Sequence, residues 1–184
     1  ADTRNDLMIL PVSYASNRGT ALSREDNTVE GTSIGVALEN PSTSGEITLR
    51  SKDPLVQPVV RFNYLKDKSD RDRLRQGILK ALKISEHQAY QNVVDLRISP
   101  TNEDLVSDAT LDHWIMNAVT TQHHACGTSK MGPVSDPMAV VDQFCRVHGL
   151  EGIRVVDASI MPDIVRANIN ASTIMIAEKV ASWI

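Results

Sequence analysis

Gln122–Pro133 reads QHHACGTSKMGP. Two of the chain's five histidines stand side by side, Cys126 follows, and a Gly-Thr step sits behind it. Alone, the segment admits three readings. It is a metal-ligand cluster, a catalytic base on a loop, or a polar knot whose imidazole is satisfied by backbone. His123, His124 and Cys126 with Cys145 and His148 are residue types that zinc accepts. Against that reading, adjacent side chains rarely converge on one point, and no Cys-x2-Cys clip is present. The rest of the chain has to decide.

Working outward, a helical pattern leads into the segment. Leu105–Val119 places Leu111, Trp114, Ile115, Ala118 and Val119 at three- and four-residue steps, and Ser69–Tyr90 does the same with Leu74, Ile78, Ala81 and Leu82. Before these, Leu7–Tyr14, Ser33–Leu38 and Glu46–Arg50 read as strands, with a further strand at Pro58–Phe62. They are joined by the polar connections Ala15–Gly31 and Glu39–Gly45. After the segment, Val140–Asp142 and Ile153–Asp157 read as short strands. Asn168–Ile184 reads as a closing helix, apolar nearly all round, which demands burial on more than one side. The expected class is α+β: an antiparallel sheet with helices, then a strand–loop–helix unit.

Composition narrows the function. The 184 residues are 41% hydrophobic and 23% charged, with a net charge of −4. No basic patch offers a footprint for nucleic acid, and no apolar run approaches the ~20 residues of a membrane span. Two cysteines make no disulfide framework. The N-terminus lacks the basic-then-apolar plan of a signal peptide, and the absent initiator methionine suggests that the sequence begins partway through a longer protein. Compartment stays open, with the cytoplasm slightly favoured.

Four stretches carry a resemblance. ITLRSKDPLVQPVVRFNYL, HHACGTSKMGP, AVVDQFCRVHGLEGIRVVDASIMP and NINASTIMIAEKVA occur in the order and at the intervals of the C-terminal part of the glucose–methanol–choline (GMC) flavoenzyme family. The last stretch is most similar to aryl-alcohol and hydroxymethylfurfural oxidases. The resemblance implies a substrate-binding domain over residues 1–133. Residues 134–184 would return to an FAD-binding, Rossmann-like domain. It implies FAD as cofactor, a small-molecule alcohol as substrate, and no metal.

The family's H-x-x-G-T histidine falls on His124, followed by Gly127 and Thr128, with His123 the weaker candidate. The second active-site residue, six positions after Pro162, is Asn168. Asp157 and Ala158 match the segment that meets the flavin's ribityl and phosphate region. Ile169 and Asn170 open the last helix, where backbone N–H groups meet the flavin pyrimidine. A helix N-terminus has unpaired donors and a partial positive charge, suited to the negative charge of a reduced flavin. The plainer role for Asn168 or Asn170 is N-capping, worth about 1 kcal/mol. Val12 and Tyr14 are guesses for the substrate pocket.

Mechanistically, imidazole suits removal of a hydroxyl proton near neutral pH. No side chain accepts hydride, so a cofactor must. The glycine fingerprint that seats the FAD pyrophosphate is missing, because none of the nine glycines forms a Gly-x-Gly. The chain is therefore expected to work with an FAD-binding N-terminal portion or chain, and to be inactive alone. Two alternatives stay open: a lyase of hydroxynitrile type on the same fold, and a non-catalytic or metal-binding assembly module.

Overall fold

The computed structural model describes residues 5–15 and 31–184. The connection expected over residues 16–30 and the side chain of Tyr14 lie outside the described residues. The chain forms two compact units. The first comprises residues up to Gly45 with Phe62–Gln122, and the second comprises Glu46–Arg61 with His123–Ile184.

In the first unit, β1 (Leu7–Ala15) pairs antiparallel with β2 (Gly31–Leu38), Ile9 opposite Val36 and Leu10 opposite Gly35. Pro11 is tolerated because β1 has no second ladder among the described residues. Helix α1 (Lys68–Ser85) lies against the sheet. It starts where Asp67 accepts the Ser69 N–H at 2.7 Å. Helix α3 (Asp108–Ala118) starts at a capping box in which Ser107 and Thr110 each bond the other's backbone. That box explains why α3 begins later than the expected Leu105. Leu65, Leu74, Leu111 and Ile115 form the core, with Val36, Leu38 and Trp114 packed against it.

The helix expected to reach Tyr90 ends at Ser85. The Ser85 hydroxyl bonds back to Leu82 O (2.7 Å), and an extended His87 caps a separate turn, α2 (Gln88–Gln91). Ionic clamps tie the unit together. Arg75 bridges α1 to Asp108 and Asp112 of α3, and buried Asp70 accepts the N–H groups of Ser42 and Thr43.

In the second unit, β3 (Glu46–Thr48) and β4 (Val59–Arg61) form an antiparallel pair, shorter at both strands than the sequence pattern gives. The strands expected at Val140–Asp142 and Ile153–Asp157 are corrected. Only single bridges form, Val141 to Met131 and Val147, and Arg154 to Arg146. The Asp142 carboxylate turns the chain by accepting the N–H groups of Phe144 and Arg146 at 2.9 Å, which leaves no straight run to pair. Val141, Cys145, Ile160 and Val180 make this unit's core. The closing helix α4 spans Asn170–Ala181. It buries Val180, while Ile174 and Met175 are 55% and 59% exposed. No helix among the described residues is long and apolar enough to cross a membrane.

Candidate active site

Three segments of the second unit surround an open hollow of about 550 Å³. They are the loop His123–Ala125, the single 3-10 turn at Ala158–Ile160 with Asp157 before it, and the start of α4 at Ile169, Asn170 and Thr173. Each wall has a local cause. His123 takes a left-handed backbone (φ 63°), which turns the chain between the two imidazoles. Asp157 opens the 3-10 turn by accepting the Ser159 N–H at 2.7 Å. At α4 the cap position is Ile169, which has no side-chain acceptor to offer. The first bond of that helix is Thr173 N–H to Ile169 O (2.9 Å), so the N–H groups of Asn170, Ala171 and Ser172 precede the helical ladder.

Capping by Asn168 or Asn170 is therefore not what forms. Asn168 turns elsewhere, and its amide Nδ2 lies 2.7 Å from His124 Nε2. An amide nitrogen only donates, so the contact suits the tautomer in which Nε2 accepts and the proton sits on Nδ1. The lone pair of a proton acceptor is thereby fixed in direction beside a second polar group. His124 is half-buried and Asn168 exposed, so a small molecule can reach both.

The six residues carried over from the family lie together: His124, Asp157, Ala158, Ile169 and Asn170 line the hollow with His123, and Asn168 contacts His124, whereas Val12 belongs to the first unit. The Asp157 carboxylate is engaged with its own turn, so the Asp157 side chain shapes the wall. Ser159 and Thr173 also line the hollow and were missed. The signals were present. Asp-x-Ser is an Asx-turn pattern, and Thr173 lies one helical turn after Asn170 on the same face.

The cysteines take no part. Burial and the Asp163 carboxylate push the Cys126 thiol up. Burial and Asp142 do the same for Cys145, partly offset by Arg154. Both thiols are thereby held in the protonated form, away from the reactive thiolate. His148 Nε2 lies 3.0 Å from the Gly132 carbonyl oxygen. Among the described residues, no three His, Cys, Asp or Glu side chains converge as a metal site would require.

Comparison with known proteins places the chain in a class. A model of the GMC oxidoreductase family matches residues 41–177, and the chain belongs to that family of flavin oxidoreductases. An oxygen-dependent choline dehydrogenase of Klebsiella pneumoniae (strain 342) is 46% identical over 148 residues, covering 80% of this chain and 26% of its own. The chain thus spans about a quarter of the length of the curated relatives it matches. A formate oxidase variant of Aspergillus oryzae RIB40, studied for modification of its FAD, superposes with a TM-score of 0.85 at 26% identity. It covers 96% of this chain and 31% of that one. A fungal aryl-alcohol oxidase superposes with a TM-score of 0.72 at 28% identity, over 82% of this chain and 24% of that one. The small antiparallel sheets and helices are those of the family's C-terminal, substrate-binding part.

Proposed function

We propose that the complete protein oxidises an alcohol to a carbonyl, with His124 taking the hydroxyl proton and Asn168 holding the same oxygen. The observation that carries this reading is the 2.7 Å contact between His124 and Asn168 at the edge of the hollow. In the tautomer that leaves Nε2 unprotonated, the imidazole can accept a proton, a step worth typically 10²–10⁴-fold. The Asn168 amide fixes the ring's orientation and can pass its hydrogen bond to the alcohol oxygen as substrate enters.

The residues present fit a flavin. Uncapped N–H donors at the start of α4 suit the carbonyl-bearing, electron-accepting edge of such a ring, and the backbone at Asp157 and Ala158 offers a second wall. Ile169, 8% exposed, anchors the helix start from within. FAD, when bound, supplies the acceptor for the hydride that leaves the alcohol carbon. This chain's residues bind, orient and deprotonate.

Residues 1–133 then serve as the substrate domain, and residues 134–184 return to the FAD-binding domain. Exposure of Ile174 and Met175 on α4 supports a covering partner there, and an FAD-binding N-terminal portion is the partner proposed. Choline and an aryl alcohol are the first substrates to try, given the relatives. The experiment is anaerobic mixing of the complete flavoprotein with each alcohol. Bleaching of the oxidised flavin band with appearance of the aldehyde is the expected result. Turnover without bleaching, as in a lyase, would overturn the reading.

A further inference from the structure

The loop that carries His124 and the segment that leads to Asn168 are joined by a short ladder of backbone bonds. Gly127 N–H donates to Ala158 O (3.3 Å), Ser129 N–H to Ser159 O (2.9 Å) and Met131 N–H to Ile160 O (2.8 Å). At the end of that turn, the Met161 carbonyl faces the vacant side of Gly127. A Cβ built on Gly127 stands 3.3 Å from Met161 O. The same residue has φ +82°, a left-handed conformation that L side chains rarely adopt. Two independent demands, a reversed backbone and a close carbonyl, fall on one position.

We propose that Gly127 is a positioning residue for the His124–Asn168 pair. Its missing side chain lets the loop seat on the Ala158–Met161 turn, and that seating sets how far His124 stands from Asn168. The Asp157 carboxylate holds the other side of the joint by capping the turn. Only the kinetic consequence rests on the oxidation reading above. The geometric part stands on the ladder itself.

The test is the crystal structure of Gly127→Ala in the complete flavoprotein, read together with anaerobic flavin reduction in a single turnover. The His124–Asn168 contact is expected to open from 2.7 Å beyond about 3.2 Å. The reduction rate is expected to fall about tenfold or more, at unchanged flavin content and substrate dissociation constant. Gly149→Ala is the control. Gly149 has φ +76° with nothing within 4 Å of its Cβ, so it bears a similar backbone cost and leaves both contact and rate alone. If Gly127→Ala keeps the short contact, the positioning role is overturned whatever the rate. If the contact opens while the rate holds, positioning stands and the base assignment fails. Should the alanine variant not fold, Gly127→Asn tolerates positive φ while keeping the Cβ, and the same two outcomes decide.

Discussion

The amide nitrogen of Asn168 stands 2.7 Å from Nε2 of His124, linking a loop residue to the segment just before the last helix. The contact suits the tautomer in which Nε2 accepts and Nδ1 carries the proton. A charge at position 168 would therefore act directly on the base.

Asn168→Asp puts a carboxylate against that nitrogen and favours the protonated ring. The pH at which flavin reduction reaches half its maximal rate is expected to rise by about one unit or more. The limiting rate at high pH should fall as well, because the amide donor is gone. A pH profile of reduction in the complete enzyme checks both. An unmoved profile would separate Asn168 from the base.

Asp70 predicts how acid acts on the first unit. Burial by itself would raise its carboxyl. The N–H groups of Ser42 and Thr43, the Thr43 hydroxyl and the Arg73 guanidinium outweigh burial and hold it below the ordinary range. Its contribution to stability is thus complete above the unfolded value near 3.9. It is lost as pH falls through the lower folded value. Asp70→Asn should cost about 2 kcal/mol at pH 7, and the gap from the parent should narrow at a pH well below the unfolded value. Urea unfolding at the two pH values measures it.

Arg75 holds α1 against α3. Its side chain is 11% exposed and meets Asp72, Asp108 and Asp112, with two contacts to Asp112 at 2.7 and 2.9 Å. Arg75→Met should lower stability by about 2 kcal/mol, because it leaves the half-buried Asp112 carboxylate uncompensated. Arg75→Lys should recover little, since an ammonium cannot make the forked contact. Thermal unfolding of the two variants distinguishes these outcomes.

Gly77 decides how closely α1 approaches the sheet. A Cβ there would come within 2.6 Å of Val36 Cγ1 and 3.4 Å of both Leu7 methyls. Alanine in a helix interior gains up to about 1 kcal/mol over glycine. Overpacking costs about 1–3 kcal/mol, so Gly77→Ala should destabilise on balance by about 1 kcal/mol. A gain in unfolding midpoint would show that Val36 can rotate away at little cost.

The helices were legible because their apolar spacing and their caps are local. Leu74, Ile78 and Ala81 mark one face of α1, and Ser107 with Thr110 marks the start of α3. The early stop of α1 was not legible, because it depends on a Ser85 hydroxyl turning back and on His87 adopting an extended backbone. The false strands at Val140 and Ile153 had the right residue types. Side-chain bonds from Asp142 to backbone override that preference. In the site, His124 and Asn168 were singled out through the family resemblance, not from their residue types alone. Their mutual contact is a relation across many residues of chain, and so are the Gly127 ladder and the uncapped start of α4. Ser159 and Thr173 escaped notice because a hydroxyl residue in a turn or a helix is too common to single out.

The most direct measurement is the rate of anaerobic flavin reduction by an alcohol substrate in the complete enzyme, wild type against His124→Ala. The account predicts a fall of about 10²–10⁴-fold, with flavin still bound. Reduction by the variant at the wild-type rate would contradict the assignment of His124 as the base.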